Sequence, residues 1–171
     1  MTVYAQEGAA CGRGAFRVRP GRHADAAALA EVFRAGVHGL ASKYYAPEQI
    51  HAWCPETPPA AVFETRLADG RQLWVAADDD DLPVAFIDLE TDGHVDMLFC
   101  HPRAAGQGVA RALYGELEAA ARQSGMTRLY VHASEAARAV FAHQGFVVQQ
   151  RCDFERRGVA MHNYLMEKHL S

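Results

Sequence analysis

"HPRAAGQGVARAL", His101 to Leu113, joins an apolar run, Val95–Cys100, to a segment with helical periodicity. It carries Gly106 and Gly108, and Arg111 stands where a dinucleotide-binding turn would have a third glycine. A helix N-terminus offers unpaired N–H groups and partial positive charge, so it attracts phosphate. Glycines let a ligand approach that backbone closely. The same string also serves as a plain strand-to-helix turn, and at this level both readings stand. The lysine and hydroxyl residue of a P-loop are missing from it. A Rossmann fingerprint belongs early in a series of βαβ units, whereas three antiparallel-looking strands precede this turn and one crossover follows.

The neighbouring segments supply the context. "FRVRP", Phe16–Pro20, reads as a short strand, and Leu29, Val32, Phe33, Gly36 and Val37 recur at helical spacing after it. Asp25 near the start of that helix suits the dipole. A short helix is expected around Pro47–Ala52 and another from about Pro59 to Ala68, each opened by a proline. "QLWVAA", "VAFIDLE" and "HVDMLFC" then form three strands linked by Asp-, Gly- and Pro-rich turns, an antiparallel meander. The run Asp78–Asp81 reads as a solvated turn. Past the glycine turn, a helix from Gly108 to about Ser124 buries Val109, Ala112, Leu113, Leu117 and Ala120, with Gly125 as its stop. "RLYVHA" is a strand, Ser134 caps the helix "EAARAVFAHQ", and Gly145 ends it. "FVVQQRCDFE" and "VAMHNYLMEKHL" close the chain as two strands around "RRG".

This order predicts an α+β (mixed α/β) domain over residues 16–171, preceded by a loose Gly- and Ala-rich arm, residues 1–15. About seven mostly antiparallel strands form a central sheet with helices on both faces. The strand–turn–helix–strand unit from Val95 to Ala133 supplies one parallel pair through a right-handed crossover. The 171 residues suffice for one core. A net charge of −4 argues against nucleic acid as a partner. No apolar run reaches the roughly 20 residues of a membrane span, and the N-terminus lacks a secretory h-region. Cys11, Cys54, Cys100 and Cys152 show neither C-x-x-C nor zinc spacing and read as reduced, cytoplasmic thiols. The histidines form no H-E-x-x-H or H-x-H pair, so no metal site is expected.

The run from Gly93 to Phe146 resembles the GNAT superfamily of acyl-CoA-dependent N-acyltransferases. "LFCHPRAAGQGVARAL" is similar to the family's pyrophosphate loop, and "ASEAARAVFAHQGF" to its second CoA segment ending in Gly-Phe. The blocks "KYYAPEQIHAW" and "ERRGVAMHNYLMEKHL" look like a bacterial, YafP-like branch. The resemblance implies an acetyltransferase with acetyl-CoA as co-substrate and a primary amine, of a small molecule or a protein, as acceptor. Homodimers are frequent in such a family. It places the pantetheine on Leu98, Phe99 and Cys100. The pyrophosphate falls on the amides of Gly106, Gln107, Gly108, Val109, Ala110 and Arg111, and Ser134, Ala137 and Phe141 lie against the CoA arm. The family's Arg or Gln before the first loop glycine falls on Ala105, while Arg103 lies two positions early.

Acyl transfer to an amine needs a base, donors for the oxyanion and an acid for the thiolate. The resemblance offers Asp96 as base, although a structural acceptor role is equally open to it, and the Leu98–Cys100 amides as oxyanion donors. Asp96 lies two positions before Leu98, so both side chains should leave the same face of the strand. The family's acidic tyrosine falls on Phe141, which has no proton to give. Tyr130, His132, Cys100 and Tyr164 are the replacements, unless the thiolate leaves unaided. The acceptor side should hold Tyr44, Tyr45, Glu48, His51 and Trp53, with Asn163 from the last strands, although Tyr45 and Trp53 could equally cover the sheet. The competing functions are a catalytically weak acyl-CoA-binding module, which Phe141 motivates, and a dinucleotide-dependent oxidoreductase.

Overall fold

The computed structural model describes residues 15–171. Most of the expected N-terminal arm, and Cys11 with it, lies outside the described residues. The elements run β1 (Arg17–Pro20), α1 (Ala26–Gly39), α2 (Pro47–Trp53), α3 (Ala60–Ala68), β2 (Gln72–Ala77), β3 (Pro83–Leu89), β4 (His94–Val95), β5 (Leu98–Cys100), α4 (Val109–Gln123), β6 (Arg128–Ala133), α5 (Glu135–His143), β7 (Val147–Arg156) and β8 (Val159–His169).

The expected order of elements holds, and so does the mixed α/β class. The difference lies in the third strand of the meander. "HVDMLFC" is not continuous: it breaks at Asp96–Met97 into β4 and β5, which join different sheets. One sheet has the order β1-β2-β3-β5 and the other β4-β6-β8-β7. Among the described residues there are thus eight strands where seven were expected, in two four-stranded sheets. The parallel pair is present but short, with His94 opposite Tyr130 and Val95 opposite Val131. All other pairings are antiparallel.

The break has a chemical cause. The carboxylate of Asp88 on β3, fully buried, accepts the Met97 N–H at 2.8 Å. A side chain takes the place of a strand rung there, and one residue of β-register is displaced.

Every residue of β3 is buried, so both faces of the sheet are covered. Helix α1 packs on β3 and β5, and α4 packs on β2 and β3. Phe33, Phe63, Phe86 and Phe99 form a connected aromatic stack between α1, α3 and the sheet. Burial of such side chains, worth roughly 1.5–3 kcal/mol each, opposes the conformational entropy of the chain. Gly36 marks where α1 comes closest: a Cβ there would lie 2.9 Å from the Cys100 carbonyl oxygen. Only glycine lets the helix sit that low on β5. No helix among the described residues is long and apolar enough to cross a membrane.

Candidate active site

The glycine turn folds as its sequence requires. A single 3-10 turn, Pro102–Ala104, leads from β5 towards α4, and the His101 Nδ1 accepts the Arg103 N–H at 3.1 Å. Gly106 and Gly108 take φ of +74° and +80°, the left-handed region that side chains with a Cβ avoid. Among the described residues nothing lies within 4 Å of where their Cβ atoms would be, so both glycines front open space. The first helical rung runs from the Ala112 N–H to the Gly108 carbonyl at 3.1 Å. The amides of Val109, Ala110 and Arg111 therefore project from the helix end with no intrahelical acceptor. Arg111 is exposed in the first turn of α4. Arg103 turns away and pairs with Asp78 at 2.8 Å. The Asp78–Asp81 run is thus more than a solvated turn, because it holds the loop on one side and Arg17, Arg19 and Arg22 on the other.

Beside this loop the two sheets part company. β6 pairs with β4 only as far as Val131, and β5 pairs with β3 alone. The His101 N–H donates to Val84 across the β3 side at 2.8 Å. Strand alternation then turns the N–H and C=O of Leu98 and Cys100 away from β3, toward β6. A pair of backbone edges therefore diverges next to a set of helix-end amides.

The face carrying α1–α3 bears the polar groups. Asp96 lies at the break, half-buried, and makes an ion pair with Arg66 of α3. Arg71 stands 3.4 Å from the same carboxylate oxygen. Both arginines also reach the buried Asp88, at 2.7 and 3.0 Å. Against desolvation, Arg66 holds the Asp96 carboxyl below the usual range. Asp96 is therefore ionised and weakly basic. Phe99 packs toward Phe33 and Trp53 on this face, so Leu98 points to the other. The shared face expected for Asp96 and Leu98 is lost, because the register slips at Met97.

Of the four expected catalytic residues, Asp96 lies on this face at the mouth of the break, with its carboxylate held by Arg66 and Arg71. Tyr130 shares the face, but its hydroxyl donates to Asp92 at 2.6 Å, and that bond pushes its pKa up to about 12. Cys100 is fully buried, which raises its thiol to about 12. Tyr164 lies opposite Ala133 and under the Arg138 guanidinium of α5, on the other face of the sheet from Asp96. His132 lies on the Asp96 face, half-buried, one residue past the last β4–β6 pair.

The α5 residues occupy the expected strand-to-helix corner. The Ser134 hydroxyl accepts the Ala137 N–H at 3.2 Å, the N-cap its sequence predicts. Ala137 and Phe141 are fully buried, Phe141 edge-on to Phe146, so their side chains offer no surface to a ligand. Tyr45 is buried too: its hydroxyl accepts the Glu135 N–H at 2.8 Å, and its ring meets Trp53. These two aromatics build the core. Tyr44, Glu48 and His51 are exposed on the α2 side, and Tyr45 and His51 line one surface hollow with His38 and Ile50. Asn163 is buried on β8, and its carbonyl oxygen has no hydrogen-bond partner among the described residues. Sequence reasoning missed Asp88, Arg66 and Arg71, since charges on a helix or at a strand end ordinarily face solvent.

The arrangement of loop, diverging strands and second helix has close counterparts. Residues 41–168 match the family model described as "Acetyltransferase (GNAT) domain". The chain belongs to the GNAT acetyltransferase family. Among curated proteins it is 33% identical over 141 residues to the uncharacterized N-acetyltransferase YafP of Escherichia coli K12, covering 81% of this chain and 85% of that protein. It is 32% identical over 102 residues to the peptidyl-lysine N-acetyltransferase YjaB of Salmonella typhimurium, covering 56% and 60%. Among solved structures, a GCN5-related N-acetyltransferase of Rhodopseudomonas palustris superposes with a TM-score of 0.83 at 33% identity, covering 95% of this chain and all of that one. A PaiA N-acetyltransferase of Thermoplasma acidophilum, solved with coenzyme A, gives 0.74 at 17% identity, covering 91% and 99%.

Proposed function

We propose that this GNAT-family enzyme transfers an acetyl group from acetyl-CoA to a primary amine, by direct attack in a ternary complex. The divergence of β5 from β6 beside the amides of α4 carries the reading. The outward N–H and C=O groups of Leu98 and Cys100 suit an extended amide chain such as pantetheine, which would add to the strand edge. The amides of Gly106 to Arg111 suit a pyrophosphate, with Arg111 adding charge. The fit needs backbone only, so Ala105 in place of a polar residue does not remove it. Relatives of known structure crystallised with coenzyme A or acetyl-CoA support the same co-substrate.

An amine reaching the thioester from the α1–α3 face meets Asp96. The ionised carboxylate attracts the ammonium form that most amines hold at neutral pH. The outward Leu98 and Cys100 amides are the donors for the developing oxyanion. Asn163, buried on β8 and without a partner for its carbonyl among the described residues, offers that oxygen to a substrate N–H. The name of the Salmonella relative favours a peptidyl amine as one acceptor to try. A cytoplasmic location belongs to the same proposal, and so does a homodimer, which the exposed Val147 and Val148 on edge strand β7 support and light scattering checks.

Release of free CoA from acetyl-CoA across a library of small amines and lysine peptides tests the reading. Amine-dependent release supports it. Binding of acetyl-CoA without turnover for any amine, unaffected by Asp96→Asn, would instead indicate an acyl-CoA-binding module.

A further inference from the structure

The acetyltransferase reading leaves the proton without a path. Asp96 is tied to Arg66, Tyr130 to Asp92, Cys100 is enclosed, and Tyr164 is on the wrong face. The ordinary tyrosine position is Phe141, which has no proton to give.

We propose that the imidazole of His132 takes the proton from the acceptor amine and returns it to the departing sulfur. The inference rests on the acetyltransferase reading above. Its geometry comes from the sheet. Val131 is the last β6 residue paired with β4, so His132 stands at the apex where the two strands begin to diverge. Alternation from Leu129, Val131 and Ala133, all buried, turns His132 to the opposite face, the one that carries Asp96. The thioester held on the outward Leu98 edge would thus have the imidazole across from it, on the side from which an amine arrives.

The surroundings suit a neutral base. His94 on β4 meets the His132 ring edge-on, with centroids 5.7 Å apart, and keeps its own Nδ1 on Glu90 at 3.1 Å. Tyr130 lies 6.5 Å away by ring centroids, with its hydroxyl on Asp92. On β8 the residue opposite is Leu165, which is uncharged. At the break, Asp96 shares its charge with Arg66 and Arg71. Burial first, and the neighbouring His94 second, lower the His132 pKa from 6.5, while Asp96 pulls the other way. The ring is therefore neutral at pH 7 and able to accept a proton.

The step balances without a further reagent. The acceptor reacts as the neutral amine, its ammonium proton having passed to solvent water; its lone pair forms the C–N bond, the carbonyl pair moves onto oxygen, and the second N–H proton passes to the imidazole. When the C=O bond re-forms, the C–S electron pair leaves on sulfur and takes the imidazolium proton. Amide and thiol are the products, and the ring is neutral again.

The test is the pH dependence of kcat at saturating acetyl-CoA and amine, in wild type and His132→Gln. The wild type should show an acid limb for one ionisation below pH 6.5. In the variant that limb should disappear and kcat should fall on the order of a hundredfold, the usual weight of a general base. Acetyl-CoA should raise the Tm of both proteins equally, which shows that the fold and the CoA site survive. A wild-type profile flat down to pH 5, or a variant with unchanged rate and limb, would overturn the role of His132 and leave the acetyltransferase reading intact. A wild type that neither binds acetyl-CoA nor releases CoA would overturn both.

Discussion

Arg66 on α3 and Asp96 at the break between β4 and β5 form an ion pair that ties a helix to the point where the two sheets separate. The same guanidinium holds Asp88, whose carboxylate in turn holds the Met97 amide. One arginine therefore braces both the bend in the chain and the charge beside it.

Arg66→Met should destabilise the protein by about 3 kcal/mol, because it leaves Arg71 as the one guanidinium for two carboxylates, one fully buried and one half-buried. Urea unfolding at pH 7 measures this. The sign with pH follows from Asp96, whose pKa is depressed in the folded state. Its contribution is present above the unfolded value of about 3.9 and is lost as pH falls through the folded value. The gap between wild type and variant should therefore narrow below about pH 4.

Gly108→Ala should cost roughly 1–2 kcal/mol, since φ of +80° is strained for a residue with a Cβ although nothing crowds the site. The KM for acetyl-CoA should rise with little change in kcat. An unchanged KM would detach the glycine turn from the co-substrate.

Cys100→Ala should leave kcat within about threefold of wild type. A thiol raised to about 12 by burial is a poorer acid than the CoA thiol, near ~8.5, that it would have to protonate. A large fall in kcat with an unchanged Tm would restore Cys100 as the acid.

Tyr45→Phe removes the hydroxyl that accepts the Glu135 N–H at the start of α5. A loss of about 1–2 kcal/mol is expected for the stranded amide, read by urea unfolding. Acceptor KM should change little, because the ring is core rather than acceptor surface.

Much of this was legible in the chain. Gly106 and Gly108 before an amphipathic segment gave the loop, and Ser134 gave the cap of α5, because each is a local rule about backbone groups. The break at Asp96–Met97 was hidden inside "HVDMLFC", which reads as one continuous strand. Its cause, Asp88, is eight residues away from Asp96 in sequence and acts through a side chain. Arg66 on α3 and Arg71 just before β2 were invisible for the same reason: nothing local distinguishes an arginine that reaches buried carboxylates from one in water. Tyr130 and Tyr164 carried the right chemistry, but only the pairing of β6 with β8 shows that they face opposite sides.

The central claim, that the diverging β5 and β6 edges and the α4 amides hold acetyl-CoA, is tested most directly by thermal unfolding with and without that molecule. At a hundred times its Kd, acetyl-CoA should stabilise the fold by about 2.7 kcal/mol, raising the Tm by roughly 5–10 °C. A Tm unmoved by acetyl-CoA but raised by NAD or NADP would contradict it.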